Sequence, residues 1–325
     1  MEIDLIEGLE MKHVLFVLFL VLLVGCQPAD QPAEVTEAPD EGAHEHAPEP
    51  GASEPEPEPE ENRLARVLEQ QSEEVQARFR FRNPYETLNF FGIEPGMTVV
   101  EALPGGGWYT RILLPYLGEE GKLIAANYPV SLFQQFPWAS EEFLENLPAW
   151  PDTFAENAQA MCAGDCASVG AFWLGELPED MRGQADAVLF IRVLQNLARF
   201  QNEGVDDFLD QAFSDAYAVL KPGGVLGVVQ HEAREDMPDD WASGAHGYLK
   251  KSFVIAQAEA AGFEFSGESA INENPDDQPT VDKVVWRLPP TLMVHENGDP
   301  DEQRARHEVI GESHRMTLKF VKPEP

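Results

Sequence analysis

The stretch Val99-Val100-Glu101-Ala102-Leu103-Pro104-Gly105-Gly106-Gly107-Trp108-Tyr109-Thr110 decides how the chain is read. An apolar run ends in an acid, then in three glycines, then in residues suited to the start of a helix. The pattern predicts strand, tight loop and helix. Consecutive glycines let the backbone approach a ligand closely and adopt positive φ, while the free N–H groups of the next helix face whatever lies above the loop. This is a cradle for a small molecule. Glycines also serve turns for purely structural reasons, so the surrounding pattern has to support the cradle.

Upstream, Leu64, Val67, Leu68 and Val75 fall at near-helical spacing and predict an amphipathic helix over residues 63–79. Asn83 before Pro84 predicts a helix start, with Leu88, Phe90 and Phe91 facing inward. Downstream, residues 109–117 read as a helix and residues 121–127 as a turn and second buried strand. Residues 131–151 read as short helices and loop, and 169–174 as a third strand. The run 185–191, Ala185-Asp186-Ala187-Val188-Leu189-Phe190-Ile191, reads as a continuous buried run and is a fourth. A helix over 206–220 closes on Lys221-Pro222-Gly223-Gly224, and 225–230 is a fifth strand. The helix 252–261 stops at Gly262, residues 263–268 form a sixth strand, and 316–321 a last one. Residues 273–282 read as an exposed loop and 299–307 as a polar helix. Strands alternating with helices predict an α/β fold whose largely parallel sheet is covered on both faces. Ligands bind such sheets at the carboxyl ends of the strands, near the switch point beside the first strand.

The 325 residues, 43% of them apolar, suffice for one substantial core plus tails. The formal charge of −36 argues against a nucleic-acid partner. Residues 1–62 hold 16 of the 58 acids and one of the 22 Lys and Arg, which leaves −21 on residues 63–325. After Met11-Lys12-His13 come eleven apolar residues, Val14 to Val24, and then Gly25 and Cys26. As a helix this run spans about 16 Å, too short to cross a bilayer, and it reads as the core of a signal peptide. Leu23-Val24-Gly25-Cys26 resembles a bacterial lipobox, which implies cleavage before Cys26 and lipidation of that residue. The alternative is an ordinary secretory signal with an incidental cysteine. Met1 to Glu10 carries four acids and no base, so translation is expected to start at Met11. Gln27, where an aspartate would retain the protein at the inner membrane, favours the outer membrane of a Gram-negative cell. Residues 27–62, rich in Pro, Glu and Ala, cannot bury enough surface to fold and read as a tether of up to roughly 100 Å. His44 and His46 belong to that polar tail. The domain is residues 63–325.

The chain resembles class I S-adenosylmethionine-dependent methyltransferases, and more closely a group of bacterial predicted methyltransferases that carry signal peptides. The resemblance covers residues 78–322. It rests on Val99 to Thr110, on residues 185–197 and on Val219-Leu220-Lys221-Pro222-Gly223-Gly224-Val225-Leu226. Arg82-Asn83-Pro84-Tyr85-Glu86-Thr87 and Gly311-Glu312-Ser313-His314-Arg315-Met316-Thr317-Leu318 resemble the narrower group. The fold implied is a Rossmann-like, doubly wound sheet of seven strands, mostly parallel with an antiparallel last strand. The cofactor implied is S-adenosylmethionine, held by Glu101, by the loop Gly105, Gly106 and Gly107, and by Asn127. Two departures stand out. Leu103, with Pro104 beside it, occupies the place of the family's first glycine. Asn127 replaces the acid that binds the ribose hydroxyls, and an amide lacks the charge-assisted strength of a carboxylate. Altered cofactor binding is expected. Asp165 is the candidate for meeting the adenine.

Methyl transfer from a sulfonium is an in-line displacement, so the protein chiefly positions the reactants and removes a proton from the nucleophile. His231, expected just after the fifth strand, is the first candidate base; the alternative is a loop histidine that only packs. Tyr248 and Tyr109 are further catalytic candidates, with His246 and Arg111 nearby. Trp108 and Tyr109 are equally readable as core or as ligand wall. With Cys26 lipidated, Cys162 and Cys166 form an even pair, and a disulfide is expected in an oxidising compartment. A metal site there lacks further ligands. S-adenosylmethionine is made in the cytosol, which conflicts with an address outside it. A second hypothesis is therefore a lipoprotein that keeps the scaffold and binds a ligand or an envelope partner without catalysis.

Overall fold

In the computed structural model, residues 61–295 and 297–325 are described. The expected signal peptide, Cys26 and the tether lie outside them. Among the described residues there are eight strands: β1 (Thr98–Ala102), β2 (Lys122–Asn127), β3 (Ser168–Trp173), β4 (Ala185–Ile191), β5 (Leu220–Ala233), β6 (Leu249–Lys250), β7 (Glu264–Ser269) and β8 (Arg315–Val321). They are ordered β3-β2-β1-β4-β5-β8-β7, with β6 paired to the end of β5. The first five strands run parallel, and β8 is antiparallel to both β5 and β7. The expected seven-stranded plan is present, and the two-residue β6 makes the eighth strand.

Both faces of the central strands are buried, and side chains alternate between them as a strand requires. Val100, Ala102, Ile124, Ala126, Val188, Phe190, Leu226 and Val228 face one core, beneath helices Leu194–Asn202, Phe208–Val219 and Lys251–Ala260. Val99, Leu123, Ala125, Ala187, Leu189 and Val229 face the other, beneath helices Glu61–Glu69, Pro84–Phe91, Thr110–Leu117 and Trp150–Ala160. Each buried Val, Leu, Ile or Phe among them is worth roughly 1.5 to 3 kcal/mol, and each alanine less. Helix Pro84–Phe91 lies so close to β5 that a Cβ on Gly227 would stand 2.7 Å from the Phe91 ring.

Four expectations are corrected. The helix over 63–79 is three pieces, Glu61–Glu69, Glu73–Gln76 and Phe79–Arg82, because Ser72 starts a new turn by accepting from the Val75 N–H. Asn83 precedes Pro84 at the helix start, but its side chain does not cap; its Nδ2 donates to Ile271 O at 2.7 Å. β5 begins at Leu220 and runs through the Lys221-Pro222-Gly223-Gly224 turn, since Gly223 N–H donates to Lys322 O and Lys322 N–H to Gly224 O. It also continues beyond Gln230, so His231 lies within the strand, opposite Arg315. Finally, the loop 273–282 is not wholly exposed, because Asp277 is buried and anchors it.

The N-terminal helices brace the helix that follows the glycine loop. Pro115 inside helix Thr110–Leu117 has no N–H for the Arg111 carbonyl, which accepts from Gln71 Nε2 at 3.2 Å instead. The Pro115 carbonyl, near the helix end, accepts from Arg63 Nε and Nη2 at 3.2 and 2.8 Å.

Candidate functional site

β1 has β2 on one side and β4 on the other, which puts the switch point at the carboxyl ends of β1 and β4. A cleft of about 540 Å³ opens there. Leu103, Pro104, Gly105 and Gly106 form one edge, Ile191, Arg192 and Gln195 the next, and His231 of β5 the third. Two outer walls come from far away in sequence: Val75, Arg78 and Arg82 with Trp108 on one side, and Val285, Trp286, Leu288 and Pro289 on the other.

The glycine loop is open on its cleft side. A Cβ placed on Gly106 would meet nothing within 4 Å, and one on Gly105 only Leu103 O at 3.9 Å. Arg111 fastens the loop from beneath, its Nη1 donating to Gly106 O at 2.5 Å and to Gly107 O at 3.0 Å. Gly107 is outside the cleft lining; it has φ 75°, and a Cβ there would stand 2.7 Å from Met161 Sδ. Leu103 has a left-handed backbone at φ 49°, and so does Arg192 at the end of β4 at φ 60°. That geometry costs a non-glycine residue roughly 1–2 kcal/mol. Both strained residues line the cleft.

Glu312 holds the floor together. Its carboxylate accepts from Arg82 Nε at 3.0 and 3.3 Å, from Arg315 Nη1 at 3.2 Å and from Arg78 Nε at 2.8 Å. Arg192 Nη1 stands 3.9 Å away. Burial would raise its pKa, but Arg315, Arg82, Arg192 and Arg78 hold it down at about 2. Burial, then the charge of Arg192, lowers Arg82 to about 10 despite Glu312. Arg192 and Arg315 are lowered mainly by burial as well. Arg82 also lies over the Trp108 ring, 4.5 Å from its centroid. Beside this group, His231 Nδ1 is 2.5 Å from Ser313 Oγ. Burial, and then Arg192 and Arg315, push the imidazole well below its usual pKa, so it is neutral at physiological pH.

Other expected site residues fall outside the cleft lining. Glu101 is 5% exposed and accepts from the Thr110 hydroxyl at 2.6 Å; burial raises it to about 7 against that hydrogen bond. It secures the start of helix Thr110–Leu117. Asn127 ends β2, but its Oδ1 is occupied by the Tyr128 N–H at 2.9 Å. Tyr109 is buried, its hydroxyl donating to Arg82 O at 3.4 Å, and burial pushes it up to about 12, so it supports Arg82 and is no proton carrier. Tyr248 is fully buried, with its hydroxyl shared between Asp277 and Arg287, and burial raises its pKa further. Neither tyrosine belongs with the catalytic candidates. Arg287 and Tyr248 instead lock Asp277, which accepts from the His314 N–H at 3.0 Å and so fixes the approach to β8. His246 stacks on Trp241 away from the cleft, and Asp165 is exposed on a loop closed by the Cys162–Cys166 disulfide. Trp108 is a cleft wall.

Arg78, Arg82, Arg192, Glu312 and Ser313 carry no local mark of function. Two weak signals existed. Arg192 directly follows the buried run of β4, and Arg82 and Glu312 sit in the two phrases that resemble the narrower family.

No family model matches the sequence, and no curated protein matches it. Among solved structures, the chain is similar to a SAM dependent methyltransferase from Aquifex aeolicus, with 14% identity and TM-score 0.43 over 80% of this chain and 98% of that one. It is similar to the [4+2]-cyclase SpnF, with 17% identity and TM-score 0.47 over 75% and 82%. It is also similar to the Burkholderia thailandensis 1,6-didemethyltoxoflavin-N1-methyltransferase, whose structure has 1,6-didemethyltoxoflavin and S-adenosylhomocysteine bound, with 12% identity and TM-score 0.41 over 81% and 87%. These likenesses are too distant to carry a ligand or a reaction across, and the fold assignment stands on the strand order itself.

Proposed function

We propose that this chain is an S-adenosylmethionine-dependent methyltransferase acting on a small molecule, held by a lipidated Cys26 and the 27–62 tether on the periplasmic side of a bacterial membrane, the outer membrane of a Gram-negative cell. The observation that carries the activity is the open Gly105–Gly106 edge at the switch point, facing a 540 Å³ cleft. The residues that line the cleft fit the cofactor at the glycine loop, where Gly105 and Gly106 leave room for close backbone approach. The address is supported by the apolar run 14–24 and Leu23-Val24-Gly25-Cys26.

Bound S-adenosylmethionine would supply an electrophilic methyl group on a sulfonium. The chain's own contribution is placement and proton handling. His231 offers a neutral imidazole whose Nδ1 pairs with the Ser313 hydroxyl, and in the tautomer that donates Nδ1–H to Ser313 Oγ its Nε2 is the free acceptor. The cationic surroundings that keep it neutral also make it a weak base, so the pair acts mainly by accepting a hydrogen bond from the incoming nucleophile and orienting it.

The second reading, a binding module without catalysis, is favoured by one observation: Glu101 and Asn127 Oδ1 are both turned to partners inside the chain. Calorimetric titration of the mature chain with S-adenosylmethionine separates the two. Binding is expected in the parent, with loss of at least about tenfold in Gly106→Ala, since a methyl there enters only ligand space. Gly106 has no positive φ, so the variant keeps or slightly gains stability, by up to ~1 kcal/mol. No measurable heat in the parent would leave the binding-module reading standing.

A further inference from the structure

The cleft holds more positive charge than the protein neutralises. Arg78, Arg82, Arg111 and Arg192 line it against Glu74 and Glu312, in a domain whose overall charge is −21. A basic recess in an acidic body concentrates its field in the low-dielectric cleft and draws anions to it.

Arg192 shows most clearly that the charge is meant for a ligand. Its guanidinium makes no hydrogen bond to the protein, its nearest carboxylate oxygen is Glu312 Oε2 at 3.9 Å, and its Nε is buried without a partner. The strained backbone at φ 60° presents this group at the end of β4, where the cleft opens. Buried donors are ordinarily satisfied, and strain of this kind collects at binding sites. Arg82 is similar: its Nε is used by Glu312, while its terminal nitrogens make no hydrogen bond to the protein. Its plane is fixed over the Trp108 ring. Glu312 thus orders the arginines and leaves their outer donors unused.

We propose that this part of the cleft binds a small molecule carrying a carboxylate or phosphate group, held by Arg192 and Arg82, with a flat apolar body along Trp108 and Trp286. Two guanidinium forks suit the paired oxygens of either anion, and a volume near 540 Å³ suits a compact molecule. The inference rests on the transferase reading only in making this molecule the methyl acceptor.

The test titrates the mature chain at low salt, without S-adenosylmethionine, with benzoate, phenyl phosphate and the neutral, similarly shaped benzamide. One of the two anions is expected to bind at least about tenfold more tightly than benzamide, and which one does so identifies the headgroup. Arg192→Gln should weaken that anion about tenfold or more, leave benzamide unchanged and leave the melting temperature within about 2 °C, since the guanidinium supports no protein hydrogen bond. Arg192→Lys should restore part of the binding. Equal binding of benzoate, phenyl phosphate and benzamide, or anion binding indifferent to Arg192→Gln, overturns the proposal. A parallel loss of S-adenosylmethionine affinity in Arg192→Gln also overturns it, by giving the arginine to the cofactor's own carboxylate. If the anion binds and S-adenosylmethionine does not, the transferase reading fails and the anion site stands.

Discussion

Replacing Glu101 by glutamine distinguishes an acid that serves a ligand from one that serves the fold. In the structure the carboxyl is nearly inaccessible and tied to Thr110 Oγ1 at 2.6 Å. Burial lifts its pKa from 4.5 to about 7. Between these values the folded chain keeps a proton that the unfolded chain gives up, so stability falls as pH rises through this window. The contribution is fully present below pH 4.5 and fully lost somewhat above pH 7. Across about 2.5 pH units, at ~1.4 kcal/mol each, the loss amounts to roughly 3 kcal/mol. Glutamine carries no charge at any pH and still offers an oxygen to Thr110, so the variant escapes the loss. At pH 8, Glu101→Gln should therefore be more stable than the parent by up to ~3 kcal/mol, or roughly 5–10 °C in melting temperature, while at pH 4.5 the two should melt together. Urea unfolding followed by tryptophan fluorescence at pH 4.5, 6 and 8 measures the difference directly. A parent-to-variant gap that does not change with pH, or a variant weaker at pH 8, would refute the buried-carboxyl reasoning. So would a large fall in S-adenosylmethionine affinity at unchanged stability.

Leu103 lies at φ 49° and packs partly against the core, so Leu103→Gly trades lost packing and chain entropy against released strain. Its net effect should stay within about 1 kcal/mol, whereas Leu103→Val, a smaller chemical change, should cost more because a branched Cβ tolerates this backbone poorly. Denaturation curves that rank glycine below valine would sink that assignment. At the other end of the chain, mass spectrometry of the mature protein should find an N-terminus at a diacylglyceryl-modified Cys26; an unmodified Cys26, or an intact sequence from Met11, rules out the anchored placement.

The sheet was legible because its signals are local. Ala185–Ile191 is apolar throughout except for Asp186, and it forms β4 with those same bounds. The glycine triplet marks the loop after β1 without reference to anything distant. Helix 63–79 failed for an equally local reason, since its periodicity is real but Ser72 offers the backbone a competing cap. Glu101, Tyr109 and Tyr248 looked functional because chemistry-bearing side chains near strand ends resemble site residues. Whether such a group faces a cleft or a neighbour depends on packing, and Tyr248 is decided by Asp277, 29 residues away.

The arginine group was illegible for the opposite reason: no stretch of sequence contains it. Arg78 and Arg82 precede β1, Arg192 follows β4, and Glu312 and Arg315 stand at the start of β8, almost at the end of the chain. Arg82 and Glu312 are 230 residues apart and are brought together only when β8 lies antiparallel beside β5, which sets Arg315 opposite His231. Before that pairing forms, each arginine is an ordinary solvated cation. After it, all four are crowded around one carboxylate, and three charges are left without a counter-charge in that group. Crowding of that kind opposes folding unless something offsets it, and among the described residues Glu312 is the carboxylate that meets these arginines. The glycine loop is therefore a feature that a short peptide can encode, while the cationic end of the cleft is a product of the closed sheet. A ligand that bridges them would join the earliest-read part of the site to the part that exists only once β8 is in place.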